Sequence, residues 1–294
     1  MTAGRLVANN LLGVVEHPSS GGHPYQVARS GESYVPVGDG GIVLGVDLGD
    51  GVFDHVADHA APGVCLVHPD PAARASLTGL SCAGNLATVR SGGQAGATGV
   101  VIGKRGESGR VIVHFGDDVR AGLRPGDHVA VRAEGQGLAL PEHPDVTVAN
   151  LSPALLDRLP VRTGNGAVVV GVRCVLPSML VGNGVGRPSV AWDIDLQVHA
   201  DTAERWGAQE LRLGDLVALS DVDARWNIGY RRGWTTVGIV VHGGSPLPGH
   251  GPGVTPILSG GPGTMVIDAD ARAHRGVTAR VVEEVADARP GASR

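Results

Sequence analysis

Residues 235–258 read TTVGIVVHGGSPLPGHGPGVTPIL. Val237, Ile239, Val240 and Val241 form a short apolar run bounded by turn residues, the signature of a buried β-strand. The run ends on His242 and passes into a loop of Gly and Pro. A second histidine, His250, sits inside Gly249-His250-Gly251-Pro252-Gly253. Glycine lets main chain and imidazole approach another group closely. This stretch therefore sets both the fold class, β-rich, and the first place to look for a site.

Outward from it, the same pattern recurs along the chain. The 47 glycines and 19 prolines among 294 residues punctuate apolar runs and form no low-complexity tract, which argues for many short strands joined by tight turns. With only 3% aromatic residues, Val, Ala, Leu and Ile must build the core. Strands are predicted at 41–50 (GIVLGVDLGD), 85–89, 111–115, 167–177 (AVVVGVRCVLP) and 192–198 (WDIDLQV), with a hairpin inside the first 40 residues. The clearest helix signal is SPALLDRL (152–159): Ser152 is a good N-cap and Pro153 suits the first helical position. Residues 71–77 and 202–206 offer short helical turns, and the tail after 270 a strand or a short helix. Leu123-Arg124-Pro125-Gly126-Asp127-His128-Val129 is echoed by Leu211-Arg212-Leu213-Gly214-Asp215-Leu216-Val217, a turn followed by a strand. The expected architecture is α+β and β-rich, with two barrel- or sandwich-like halves and few short helices. The halves are placed at 1–150 and 151–294, the second carrying the candidate site.

The charge pattern excludes several function classes. A net charge of −5 with acids and bases interspersed, and no basic run, disfavours nucleic-acid binding. No apolar stretch is long enough for a membrane helix, and the first 20 residues lack the pattern of a signal peptide. Cys65, Cys82 and Cys174 have no metal-binding spacing and read as reduced buried thiols of a cytoplasmic protein.

Candidate chemistry lies mostly in the second half. Asp193 and Asp195, two apart on a strand, share a face. Burying both requires a cation, a shared proton or an arginine; a solvated strand face is the plain alternative. Asp221 and Asp223 repeat the spacing, and Tyr230, Arg231 and Arg232 follow on the next hairpin, offering an anion-binding arginine beside a carboxylate or a surface ion pair. Asn183, in Gly182-Asn183-Gly184-Val185-Gly186, belongs to a loop that could cradle an anion with backbone N–H groups or simply turn the chain. His242 and His250 could act as general acid and base, or ligate a metal with Asp193 or Asp195. Asp58 and His59 offer a contribution from the first half, and Asn85 a hydrogen bond. Walker, G-x-S-x-G, HEXXH and dinucleotide-binding signatures are absent.

SCAGNLATV (81–89), GQGL (135–138), LRLGDLVAL (211–219), TVGIVVH (236–242) and above all GHGPGVT (249–255) together resemble the prokaryotic family called domain of unknown function 4438. The resemblance runs from about residue 17 to about residue 258 and implies a shared β-rich architecture. His242, His250, Asp193, Asp195 and Tyr230 fall where the family pattern places such residues. The chain departs from the pattern at Gly244, where an acid is expected, and at Gly93 and Ala95, where an acid and a lysine are expected.

The leading expectation is a small-molecule enzyme of hydrolase or lyase/cyclase type, such as a tailoring step in specialised metabolism. His250 would be general acid/base, Asp193 or Asp195 its orienting partner, His242 and Tyr230 would assist, and Arg231, Arg232, Asn85, Asn183 and Asp221 would bind substrate. The sequence dictates no cofactor; a divalent metal is one alternative. Another is a non-catalytic ligand-binding or scaffold protein, which would keep Asp193, Asp195, His242 and His250 far apart. The partners expected are a small-molecule substrate and further copies of the chain, with no nucleic acid or membrane.

Overall fold

The structure is a computed structural model that describes residues 5–18, 22–164, 166–269 and 276–288. The apolar run at 237–241 belongs to a 14-residue strand, Gly229–His242. After the loop the chain returns as Gly253–Gly260, antiparallel to it. Val237, Ile239 and Val241 pack on one side with Val100, Ile102 and Ile257. Val240 packs on the other with Leu176, Ile194, Val217 and Val254. Both faces are covered, so the run shows no polar alternation.

These two strands form the centre of a six-stranded sheet. Leu216–Asp223 flanks the long strand and carries Cys174–Pro177 parallel to it on its outer edge. On the other side, Gly253–Gly260 pairs with Ile194–Asp195 at its start and with Val146–Val148 at its end. Against this sheet stands a closed antiparallel barrel of six strands, in the order Asn9–Val15, Val64–Val67, Arg110–His114, Thr98–Arg105, Leu86–Val89 and His128–Ala133. Leu66, Val89, Val101, Val113, Val129 and Val131 are among its interior residues.

The Thr98–Arg105 strand joins the two layers. Val101 faces the barrel interior while Val100 and Ile102 face the sheet. The layers come closest at Gly103, where a Cβ would stand 2.4 Å from Val241 Cγ1 and 2.6 Å from Thr255 Oγ1. The next N–H, of Lys104, donates to Thr255 Oγ1 at 3.0 Å. This contact delivers the hairpin turn Arg105-Gly106-Glu107 to the end of the sheet where His242 lies.

The repeated LR-x-GD motif folds the same way twice. Arg124 N–H donates to Asp127 Oδ2 at 2.8 Å, and Arg212 N–H to Asp215 Oδ2 at 2.9 Å. Gly126 and Gly214 have φ of 95° and 93°. Each turn then exchanges backbone hydrogen bonds with a neighbouring strand, through Val15 in one case and Val240 in the other.

Several predicted elements differ. Residues 41–50 form turns because Gly41, Gly45 and Gly49 all take positive φ. The run 167–177 is two strands, Ala167–Gly171 and Cys174–Pro177, because the chain passes from one sheet to another: Val172 N–H bonds to Asp268 O and Arg173 N–H to Leu216 O. In 192–198 only Ile194–Asp195 is paired as a strand; the Leu196 and Gln197 N–H groups turn to Pro252 O and Leu180 O. The helix at 152–159 has the expected cap, with Ser152 Oγ accepting from Leu155 N, but its α-helical part is Pro153–Leu156. Other helices are Pro71–Leu80, Asp117–Gly122 and Ala279–Asp287. Among the described residues, no helix is long and apolar enough to cross a membrane. All three cysteines are free and buried.

The halves are interlocked. Val146–Val148 already belongs to the second sheet, and backbone bonds from Arg29 to Pro246 O and from His59 to Gly244 O tie the early segment to the late loop.

The turn geometry makes a direct prediction. Asp215→Ala should lower the unfolding free energy by about 1–2 kcal/mol, as loss of a buried turn acceptor does, while Asp215→Asn should retain most of the stability. Denaturant melts of the two variants check this; equal losses would contradict the turn's role.

Candidate functional site

The end of the long strand and the loop after it meet three other segments, and five ionisable side chains converge there. His242 is 0% exposed, and Asp193, Asp195 and His59 are 1% exposed. His250, with its side chain 21% exposed, forms the way in.

His242 closes the Gly229–His242 strand. Its Nδ1 lies 2.9 Å from its neighbour Gly243 O, a contact that requires a proton on Nδ1. Its Nε2 lies 2.9 Å from Asp193 Oδ2 and 3.5 Å from Asp195 Oδ1. In the neutral ring that leaves a lone pair facing two carboxylates, so Nε2 must carry a second proton or a cation. Burial works against protonation, but Asp193 and Asp195 outweigh it and raise the pKa of His242. The ring fits only because Gly253 faces it: a Cβ there would stand 1.9 Å from His242 Nε2.

Asp193 is fixed by the barrel hairpin, whose Gly106 N–H donates to Asp193 Oδ1 at 3.0 Å. Asp195 pairs with Gly253 at the sheet edge. Both oxygens of Asp195 are buried, and neither has an aligned hydrogen-bond donor. What faces them is imidazole nitrogen: His250 Nδ1 at 3.1 Å from Oδ2, with His242 Nε2 at 3.5 Å and His59 Nε2 at 3.9 Å from Oδ1. Burial opposes ionisation of Asp195, yet His250 and His242 beside it hold its pKa below the usual carboxylate range.

His59 enters from the first half. Its φ of 51° is a left-handed conformation that non-glycine residues rarely adopt, and its N–H is held by Gly244 O at 3.1 Å. Its Nδ1 lies 2.6 Å from Asp58 Oδ1, a close contact without hydrogen-bond alignment. Asp58 Oδ2 in turn accepts from Tyr34 Oη at 2.7 Å. His59 Nε2 lies 3.0 Å from His250 Nδ1. Burial, with Arg105 and His242 nearby, pushes the pKa of His59 down to about 4, so at neutral pH the ring is uncharged. With a carboxylate beside Nδ1, the lone pair of Nε2 points into the cluster.

His250 is aimed by the packing of its glycine-rich loop. The Gly249 carbonyl accepts from Asn183 N–H at 2.9 Å, and a Cβ on Gly251 would stand 1.8 Å from Leu196 O. The glycines here permit close backbone packing more than they open access. Burial opposes protonation of His250, but Asp195 and Glu107 raise its pKa. At the mouth, Asn183 Nδ2 donates to Glu107 Oε1, and Arg105 Nε lies 3.1 Å from Glu107 Oε2. Burial, followed by the charge of Asp193, raises the pKa of Glu107. Arg105 is also paired with Asp39.

The donors satisfy the spacing of a metal centre. Atoms bound about 2.1 Å from one ion stand roughly 3.0–3.5 Å apart. Four contacts in the cluster, His59 to His250, His250 to Asp195, and His242 to Asp193 and to Asp195, fall between 2.9 and 3.5 Å. Two overlapping sets, His59-Asp195-His250 and Asp193-Asp195-His242, each have ligand atoms within 4.8 Å of one another.

The structure therefore brings Asp193, Asp195, His242, His250 and Asn183 to one place, and the wide separation expected of a plain scaffold is not found. The site is shared between the halves, not carried by the second alone. Tyr230, Arg231, Arg232 and Asp221 lie elsewhere. Tyr230 is 70% exposed and sits twelve residues before His242 on the same strand, roughly 40 Å of extended chain. Arg231 pairs with Asp223 at 3.1 Å and lies over Trp234, and Arg232 is exposed beside it. Asp221 occupies the bulge in Leu216–Asp223, where it has a φ of 59° and accepts from Gly233 N–H at 2.6 Å. Asn85 clamps a turn, accepting from Cys82 N–H and donating to Glu134 O, each at 2.7 Å. The 182–186 loop offers no open anion cradle, since the N–H groups of Gly182, Asn183 and Gly186 are bonded to Asp195, Gly249 and Ile228 carbonyls. His59, Arg105 and Glu107 complete the cluster. Asp58-His59 stood out in the sequence as a carboxylate–imidazole pair, whereas nothing in the sequence singled out Arg105 and Glu107.

The chain belongs to the DUF4438 family. The profile described as "Domain of unknown function (DUF4438), N-terminal" matches residues 25–157, and its C-terminal counterpart matches residues 158–275. Among solved structures, the crystal structure of TM1086 is similar: 36% identical in sequence, with a TM-score of 0.87, covering 92% of this chain and 95% of that one. No curated protein matches the chain.

Because Gly253 leaves room for the His242 ring, Gly253→Ala should displace it. Overpacking of this kind costs about 1–3 kcal/mol. The expected result is a lower melting temperature and a changed His242 imidazole resonance in NMR; an unchanged resonance would contradict the packing described.

Proposed function

We propose that the protein is a divalent-metal-dependent enzyme acting on a small molecule, of hydrolase or lyase type. The observation that carries this reading is Asp195: a buried carboxylate with no aligned donor on either oxygen, facing three imidazole nitrogens. Leaving an ionised carboxylate so placed costs several kcal/mol unless a cation compensates it. Imidazole with carboxylate suits Zn, Mn or Fe. The contacts behind the ligands fit as well, with Gly243 O at His242 Nδ1 and Asp58 at His59 Nδ1.

A bound ion would supply Lewis acidity to a water or substrate oxygen. The protein's own groups would do the rest. The ion would be held by His59, Asp195 and His250 or by Asp193, Asp195 and His242, the two sets whose ligand atoms lie close together. His250 stands at the opening, where substrate arrives, and Glu107 and Asn183 form the rim. Glu107, with its raised pKa, is placed to take or return a proton there.

A second reading rests on the His250–Asp195 contact at 3.1 Å. Together they form an imidazole–carboxylate pair able to move a proton without a metal. The two readings separate on chelation, since only the first loses activity with it.

Metal-dependent stabilisation tests the reading. A ligand at 100 times its Kd adds about 2.7 kcal/mol to folded-state stability. Mn2+ or Zn2+ added to chelator-treated protein should raise its melting temperature, and Asp195→Asn should abolish the shift. An equal shift in wild type and variant, or none in the wild type, would refute the metal reading.

A further inference from the structure

We infer that the cluster is built for two ions, bridged by Asp195. This rests on the metal reading and fixes its stoichiometry. The five donors divide into two sets of three, and Asp195 alone belongs to both. Its oxygens also divide. Oδ2 faces His250 Nδ1 at 3.1 Å, while Oδ1 faces His242 Nε2 at 3.5 Å and, further off, His59 Nε2 at 3.9 Å. A carboxylate that lacks an aligned donor on both oxygens, with different imidazoles nearest each, has the arrangement of a bridging ligand.

Each half of the centre has its own supports. On the outer side, His59 Nε2 and His250 Nδ1 stand 3.0 Å apart and meet Asp195. Asp58 holds the far side of the His59 ring. On the inner side, His242 Nε2 and Asp193 Oδ2 stand 2.9 Å apart and meet Asp195. Here Gly106 N–H occupies Asp193 Oδ1 and Gly243 O accepts from His242 Nδ1, which leaves one atom of each side chain for an ion. The outer ion would have two imidazoles and one carboxylate; the inner would have one imidazole and two carboxylates. Three protein ligands apiece leave open positions on both.

A two-ion centre narrows the reaction class. Paired ions about 3.5–4 Å apart clamp both the attacking and the leaving oxygen of an in-line displacement, as in enzymes that hydrolyse phosphate esters and peptides. This favours hydrolysis over elimination, with a phosphoester, carboxylic ester or amide as the bond cleaved: water adds across that bond, its oxygen going to phosphorus or the acyl carbon and a proton to the leaving group. Exposure is also unequal. His242 and Asp193 are sealed while the His250 side chain reaches solvent, so the outer ion should exchange faster.

The test is metal counting on the full chain after chelation and titration with Mn2+. Two equivalents per chain are expected, with a spin-coupled electron paramagnetic resonance signal and two phases of removal by chelator. Asp193→Asn and His250→Gln should each keep one strongly bound, uncoupled ion. His250 reaches the surface, so its variant carries the test if Asp193→Asn does not fold. Saturation at one uncoupled ion per chain, with either variant binding none, would overturn the two-ion centre and leave the single-metal reading standing. No bound ion in the wild type would remove both.

Discussion

A carboxylate that the fold buries without giving it an aligned donor is the constraint on which the site depends. Asp195 sits at a sheet edge, nearly inaccessible, and imidazoles occupy the space where amide or hydroxyl donors would normally stand. In a protein interior such a group is costly. The surroundings do little to avoid the cost and much to organise around it. Asp193 is fixed by a backbone N–H, His242 by its neighbour's carbonyl, and His59 by a carboxylate that a tyrosine holds in turn. Each support leaves one atom facing inward.

The fold explains how residues so distant in sequence reach this point. The barrel contributes one hairpin, Thr98–Arg105 with Arg110–His114, whose strand is buried on both faces. The close approach at Gly103 fixes its height against the second sheet, and so positions Gly106 below Asp193 and Glu107 at the mouth. The second sheet contributes the end of its longest strand and the start of the next. Room for the His242 ring comes from a missing side chain at Gly253. Glycine, abundant throughout this chain, thus acts at the site mainly by allowing layers and loops to touch.

The β-rich class and the core strand around Val240 were legible in the sequence because period and punctuation are local. The matching turns at Asp127 and Asp215 were legible for the same reason. Asp193, Asp195, His242 and His250 stood out because polar residues flanked buried strands. What lay beyond local reading was which end of the long strand mattered. Asp221, Tyr230, Arg231 and Arg232 crowd together in sequence, but they cluster at the far end, where Arg231 pairs with Asp223 and stacks on Trp234. The sequence also holds two neighbouring Asp-His pairs, at 54–55 and 58–59. Spacing does not distinguish them. Tertiary pairing does: His55 lies near Asp50 at a partly exposed position, while His59 is bonded through its backbone to Gly244 and turned inward by a left-handed φ. Gly244 lies against Phe53, with 3.3 Å from a Cβ to that ring.

The most direct measurement is anomalous X-ray diffraction from crystals of the chain grown with Mn2+ or Zn2+, collected on both sides of the metal absorption edge. The expected result is two anomalous peaks, one about 2.1 Å from the His59 and His250 nitrogens and one about 2.1 Å from the His242 nitrogen, with Asp195 among the ligands of both. Density elsewhere on the surface, with water or a side-chain donor hydrogen-bonded to Asp195, would contradict the account at its centre.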